Sequence, residues 1–517
     1  MSERAPVVVI GAGLGGLAAA IRLQARGYQV TLVERQASPG GRACVRHAEG
    51  HTFDSGPTVV TAKWLIEELF TLAGRDHTDY VKFVELDPYY QIRAADGRVF
   101  NYSGNEEKML AEVERFSSHG AADVDGYRRF RGISEAIFKK GFEELGDVPF
   151  SHFSDMIKAA PALVRLQSFR SVYSLISKYF ADDALRQVMS FHPLLIGGNP
   201  FDASSIYAMI HFLEQKWGVH FAMGGTGAIV DAMVKLLVEI GGELRLGTTV
   251  DEVLVENGRA SGVRLEGGAT IAARYVVANA DAGWLYKHLV PAAHRHRWTD
   301  RKIDRTRFSM GLFVAYFGTT RRFEDVEHHT ILLGPRYREL LDDIFTKKKL
   351  ADDFSLYLHR PTKTDRSLAP PDSDTFYVLS PVPNLVKGVD NPAGIDWAVE
   401  GPRYQDKLLD HLDKHVMPGL RGSLRTVSHV SPQDFRDDLQ SLHGAAFSVE
   451  PILTQSAWFR PHNESEDVPG LFLVGAGTHP GAGMPGVLCS ARVVDRLVPR
   501  LAGDGDRDPI AGTHARA

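Results

Sequence analysis

The 517-residue chain has only two cysteines, Cys44 and Cys489. Two thiols cannot build a disulfide framework or a cysteine-rich metal site, and their scarcity fits a reducing cytoplasm. No uninterrupted apolar run reaches the roughly 18 residues that suggest a membrane-spanning helix. The formal net charge is −5, so there is no basic excess to indicate a nucleic-acid partner. Internal repeats, a Gly-X-Ser-X-Gly nucleophile turn and a His-Glu-X-X-His metal motif are all missing. The adjacent pair His328-His329 sits in a polar stretch without an evident third ligand. It reads as a surface or core pair, and no metal site is expected. The run from Ala5 to Ile21 carries glycines at nucleotide-fingerprint spacing, so it does not read as an export signal. The polar tail 503–517 is expected to be disordered. Length alone suggests about three domain-sized units and a large core.

What the chain does have is glycine in two organised places. Val7-Val8-Val9-Ile10 precedes Gly11-Ala12-Gly13-Leu14-Gly15-Gly16, an Ala/Leu helix follows, and Val30-Thr31-Leu32-Val33 leads to Glu34. Strand, glycine turn, helix, strand and acid are the parts of a dinucleotide site. Gly11 permits the tight turn, Gly13 lets backbone N–H groups approach a pyrophosphate, and Gly16 lets the helix pack on the strand. Glu34 stands 18 residues after Gly16, close to the roughly 20 expected of a ribose-binding carboxylate. Near the other end, Leu471-Phe472-Leu473-Val474 runs into a loop from Gly475 to Gly486 with five glycines, then a helical stretch to Leu501. That composition implies close backbone approach to something flat or charged.

Between them, residues 250–255 and 260–265 flank Glu256-Asn257-Gly258-Arg259, a hairpin signal. A further apolar strand runs from Ala273 towards Asp281. The stretch 224–230, Gly-Gly-Thr-Gly-Ala-Ile-Val, looks like a second fingerprint, but a poor strand precedes it and no acid ends the strand after it. It reads as a helix cap, leaving one dinucleotide site.

The paired glycine motifs, Glu34 and Gly40-Gly41-Arg42 resemble the FAD half-site of the flavin amine-oxidase and carotenoid-desaturase superfamily. With His51-Thr52-Phe53-Asp54-Ser55-Gly56-Pro57-Thr58, Phe191-His192-Pro193, Phe447-Ser448-Val449-Glu450-Pro451 and the 474–487 stretch, the chain resembles the bacterial phytoene desaturases from about residue 6 to 500. That resemblance implies an α/β fold, with a Rossmann-like FAD domain built from discontinuous segments (1–80, 215–292 and 440–502). An α+β substrate and membrane-associating domain (81–214 and 293–439) is inserted between them. It implies FAD as cofactor, held by Gly11, Gly13 and Gly16 at the pyrophosphate and by Glu34 and Arg35 at the ribose end. Val250 would meet the adenine through its backbone. Gly41 and Arg42 would lie near the phosphates or the flavin edge, and Gly475, Gly477, Gly483, Met484 and Val487 along the ribityl chain and ring.

The substrate implied is phytoene, a C40 hydrocarbon. A hydrocarbon has no carbonyl to polarise, so an oxyanion hole, a metal or a nucleophilic triad would have no task. An allylic C–H is too weak an acid for a carboxylate, so hydride transfer to flavin followed by proton loss is expected, with the protein supplying position and a dry site. Glu450 and His443 are the candidates to take that proton, with a structural Glu450–Arg460 ion pair as the alternative. The acceptor that reoxidises flavin is expected to be quinone or oxygen, since no second dinucleotide site is present. A substrate that lives in lipid calls for a peripheral protein on the cytoplasmic face of a membrane. Residues 151–180 are the candidate contact: Met156, Ile157, Leu163, Leu166, Phe169, Tyr173, Ile176 and Phe180 recur at near-helical spacing, Pro161 suits a helix start, and the segment carries Lys158, Arg165, Arg170 and Lys178 against Asp155. Another flavin oxidase acting on amines or porphyrinogens, or a non-catalytic flavin-bound isoprenoid carrier, are the alternatives.

Overall fold

Val7-Val8-Val9-Ile10 is apolar on both faces, as a strand in the middle of a covered parallel sheet must be. It forms β1 (Pro6–Ile10), followed by α1 (Leu14–Ala25) and β2 (Gln29–Val33). Further along come β3 (Tyr90–Arg93), β4 (Val99–Tyr102), α2 (Phe153–Arg165), α3 (Thr226–Glu239), β5 (Glu243–Arg245) and β6 (Tyr275–Ala278). The C-terminal half contributes β7 (Gly311–Thr319), β8 (His329–Leu332), β9 (Leu356–His359), β10 (Thr375–Val382), β11 (Leu424–Val430), β12 (Leu471–Leu473) and α4 (Met484–Leu497). This is a computed structural model, and it describes residues 5–388 and 391–501. The tail expected to be disordered lies outside the described residues.

The first sheet has the order β12-β6-β1-β2-β5 with every neighbour parallel. Val8 sits beside Val276 on one side and Thr31 on the other. Strands from the beginning, middle and end of the chain therefore share one sheet, the discontinuous α/β arrangement. The two-residue period divides β1 between two cores: Val7 and Val9 face α1, α3 and α4, while Val8 and Ile10 face the 250–272 hairpin layer. That hairpin turns at Asn257-Gly258, both with positive φ. A buried charge cluster fastens α1 to α4: Arg22 pairs with Glu68 at 2.5 Å, and Asp495 receives Arg26 at 3.1 Å and Arg22 at 3.6 Å.

The second sheet has the order β11-β7-β10-β9-β8-β3-β4 and is antiparallel except for β8 against β3. On β7, Leu312, Val314 and Tyr316 point into the larger core, while Phe313, Ala315 and Phe317 pack under the helix Trp397–His415. One face of this sheet is thus free to line a chamber against the first domain.

The segment 151–180 departs from the single amphipathic helix expected. It contains α2, a turn, and a short helix Val172–Ile176, and Pro161 falls inside α2 instead of starting it. Leu166, Ile176 and Phe180 belong to the core, whereas Phe153, Ile157, Val164 and Phe169 are exposed. The near-helical spacing extended across a turn, so it merged two faces.

The stretch 224–230 starts α3, and the helix N-terminus is already capped by the protein: Thr226 N–H donates to Asp54 Oδ1 at 2.8 Å. A Cβ on Gly225 would come within 2.6 Å of that carboxylate, which occupies the place of a phosphate. Burial pushes the Asp54 carboxyl up to about 7, and the N–H groups of Thr226 and Gly227 oppose the shift. The folded protein therefore holds this proton more tightly than the unfolded chain between about pH 4 and pH 7. Stability from this group is full below that window and is lost as pH rises through it. Replacing Asp54 by Asn removes the term and keeps the Oδ1 acceptor. The stability of the wild type relative to D54N should fall by about 2–4 kcal/mol between pH 4.5 and 7.5, measured by urea unfolding. Parallel pH profiles would contradict it.

Candidate active site

The C-terminal edge of the parallel sheet is where an α/β fold opens to ligand. There Gly11 N–H donates to the Val33 carbonyl at 2.8 Å and Asn279 N–H to the Ile10 carbonyl at 2.8 Å, so the strand ends are stitched together. A Cβ on Gly16 would lie 2.0 Å from the Gly11 carbonyl oxygen, which makes that glycine obligatory for bringing α1 against β1. Gly16 does not reach the cavity wall; its part is packing. The Glu34 carboxylate accepts from Ala12 N–H at 2.7 Å and from Gln36 N–H at 2.8 Å. Each oxygen keeps a second lone pair for a ribose hydroxyl. The 40–42 turn docks on the glycine loop through Gly40 N–H to the Ala12 carbonyl, 2.8 Å.

The last glycine loop closes on the first. A Cβ on Gly15 would meet Asn279 Oδ1 at 2.7 Å and the Gly475 nitrogen at 3.2 Å, and Gly475 has φ +97°. Gly475 N–H donates to Ser490 Oγ at 2.8 Å, which ties this loop to α4. The positive ends of α1 and α4 both open on one cavity of about 440 Å³. Gly11, Gly13, Glu34, Arg35, Gly41, Arg42, Val250, Gly475, Gly477, Gly483, Met484 and Val487 all lie on its wall.

Four unpartnered buried polar atoms on this wall fit a polar cofactor: Arg42 Nε, Ser55 Oγ, Asp281 Oδ2 and Ser448 Oγ. Arg42 donates to Ser441 Oγ at 2.7 Å, and burial lowers its pKa while the Asp281 charge opposes the shift. A buried cation with an unused donor suits phosphate oxygens. Arg35 is different: it donates to the backbone carbonyls of Asp437 (2.9 Å) and Asp438, so it braces the cavity rim.

Beyond the nucleotide end the same cavity turns apolar. Leu312 and Val314 from β7, Ile331 and Leu333 from the β8 region, and Leu195 and Met209 supply aliphatic surface. The polar exceptions are few. Tyr357 and Tyr377 share Thr58 Oγ1, at 3.0 and 2.7 Å. Glu214 accepts from Tyr90 OH at 2.7 Å and lies 3.1 Å from His192 Nε2. Sequence reasoning missed Asn279, Asp281, Ser448, Tyr357 and Glu214 as wall residues. Only Asn279 and Asp281 carried a signal, as polar residues closing an apolar strand at the sheet edge.

The expected proton acceptors are not on this wall. An antiparallel bridge, Phe308 to Val449, turns the chain away after Ser448 and sets Glu450 beside Arg307, 2.8 Å to its Nε. Glu450 is therefore ion-paired with Arg307, and Arg460 instead donates to the Val449 carbonyl. His443 has φ +59° and packs on Phe308. His328 and His329 are a buried core pair, and a third histidine joins them. Strand pairing sets His359 opposite His329, and the three buried imidazoles converge with His359 Nδ1 3.3 Å from His329 Nδ1. Burial lowers all three pKa values, that of His329 to about 3, and Tyr357 and Thr364 hydrogen-bond the cluster. A third imidazole invisible in sequence thus comes from the neighbouring strand.

Glu34 sets the sharpest test of the nucleotide end. A hydrogen bond to a charged group contributes about 1.5–3 kcal/mol. Glu34→Gln should weaken FAD binding roughly 10- to 100-fold by fluorescence titration of apoprotein. Unchanged affinity would contradict the assignment.

The sequence matches the family described as flavin containing amine oxidoreductase over residues 14–494. It is 49% identical over 496 residues to the lycopene-forming phytoene desaturase of Pantoea ananas, covering 95% of this chain and 99% of that protein. It is 50% identical to the neurosporene-forming phytoene desaturase of Rhodobacter capsulatus, covering 95% and 93%. Among solved structures, putrescine oxidase bound to putrescine shares the fold with a TM-score of 0.64 at 13% identity, covering 96% of this chain and 99% of that one. The glycine loops, the FAD-fitting wall and full-length identity near one half together place the chain in the phytoene desaturase family of flavin containing amine oxidoreductases.

Proposed function

We propose that the protein is an FAD-dependent phytoene desaturase that introduces several conjugated double bonds, towards neurosporene or lycopene, in carotenoid biosynthesis. The observation that carries this reading is one cavity continuous from the nucleotide wall to an aliphatic chamber. Bound FAD supplies the two-electron oxidation of the C–H bond. Gly11, Gly13, Glu34 and Arg42 would hold it, together with the 475–487 loop, all of which lie on the cavity wall. The aliphatic wall from β7 and the β8 region aligns a hydrocarbon by shape and excludes water, so position and dryness replace acid–base polarisation of a functional group.

Membrane association belongs to the same proposal. Among the described residues, four of the ten large exposed hydrophobic side chains, Phe153, Ile157, Val164 and Phe169, fall on α2 and the turn after it. Phe153 packs on Trp458, beside exposed Phe459, so the patch extends to a second segment. Residues Gly141, Phe142 and Gly146, a few positions before α2 in the chain, line the cavity, which supports a substrate path from this side. No described helix is long and apolar enough to cross a membrane, so the contact is peripheral. Two free cysteines suit the cytoplasmic face, and quinone or oxygen is the proposed electron acceptor.

Expression in a phytoene-accumulating bacterium should produce yellow to red pigment whose absorption bands count the new double bonds. A colourless culture containing folded, FAD-loaded protein would overturn the reading. For the membrane surface, changing Arg165, Arg170 and Lys178 together to Glu should lower binding to anionic vesicles at least tenfold in flotation, since each basic residue near such a surface contributes about 1 kcal/mol. Flotation unchanged from wild type would remove the contact from this segment.

A further inference from the structure

The acidic side chains on the cavity wall divide sharply. Glu34, Asp281 and Asp438 belong to the nucleotide end; Glu214 alone stands in the apolar chamber. It projects from the helix Met209–Trp217, whose Met209, Ile210 and Leu213 share the same wall. The residue is 1% exposed, and among the described residues no lysine or arginine pairs with it. Two donors hold it instead: Tyr90 OH on Oε1 at 2.7 Å and His192 on Oε2 at 3.1 Å. Both donors are themselves buried. A carboxylate so enclosed, without a formal counter-cation, is costly unless something else meets its charge. Its field reaches its neighbours, because the phenols of Tyr90 and Tyr102 are pushed well up, first by burial and then by the Glu214 charge.

Hydrocarbon oxidation creates the missing partner. Loss of a hydrogen with its electron pair leaves a delocalised carbocation, which is a strong acid at the adjacent C–H. We propose that Glu214 is the catalytic residue that faces this cation and takes its proton. The C–H bond breaks, its electron pair closes the new carbon–carbon double bond, and the proton goes to a Glu214 carboxylate oxygen. The two electrons lost by substrate are those that the FAD oxidation removes, so charge and atoms balance. His192 and Tyr90 are positioning residues: their hydrogen bonds hold the Glu214 side chain in one orientation before each turnover. This rests on the desaturase reading.

The test uses FAD-loaded protein in lipid vesicles and two probes, a C20 isoprenoid trimethylammonium salt and its neutral tert-butyl isostere, with affinity read by tryptophan fluorescence. A site built for a cation binds its stable mimic more tightly than the neutral shape. Wild type should prefer the ammonium probe at least tenfold. Glu214→Gln should lose the preference, and Glu214→Asp should recover part of it. The rate of double-bond formation in Glu214→Gln should fall roughly 10²-fold or more. Equal preference in wild type and Glu214→Gln, or a rate within twofold, would overturn the proposal. Wild type that forms no double bond at all would instead remove the desaturase reading, while the ammonium preference would still report on Glu214 separately.

Discussion

Gly15 and Gly475 approach so closely that neither tolerates a side chain, with Asn279 wedged against both. That contact joins residues separated by most of the polypeptide, and the rest of the site depends on it. It is held from behind by α1 and α4, fastened through Arg22, Arg26, Glu68 and Asp495. A buried set of charges of this kind fixes a register as much as it adds stability. The consequence is two helix N-termini, two glycine loops and Arg42 converging on one end of a cavity.

The opposite end of the cavity is governed by a different constraint. The seven-stranded sheet offers one face of alternating aliphatic and aromatic residues, and the helix Trp397–His415 covers its other face. A polar group left on the chamber face must be satisfied, and the few that remain are: Thr58 with Tyr357 and Tyr377, Glu214 with Tyr90 and His192. Polar satisfaction in an apolar chamber keeps water out while leaving isolated points of charge or hydrogen bonding where a hydrocarbon reacts.

The nucleotide end was legible in the sequence because its chemistry is local. Val7 to Glu34 and Gly475 to Gly486 are contiguous runs in which turn, strand and helix signals follow one another. The hairpin at Asn257-Gly258 was legible for the same reason. The chamber was not, because its residues are single positions on strands and helices that meet only in three dimensions. Glu214, Tyr357 and His359 have no local signature, and His359 meets His329 only through strand pairing. Sequence proximity to the last glycine loop made Glu450 and His443 attractive, yet Glu450 pairs with Arg307 and His443 packs on Phe308, both off the cavity wall. Across 151–180 the apolar spacing was real, but a turn after α2 divided it between core and surface.

The central claim is that a flavin held by both ends of the chain faces the aliphatic chamber and reacts with hydrocarbon there. Anaerobic mixing of FAD-loaded protein in vesicles with phytoene, followed at the flavin absorption near 450 nm, tests it most directly. The account predicts bleaching in a single turnover, matched one for one by new polyene absorption. A flavin that stays fully oxidised with phytoene present in the same vesicles would contradict it.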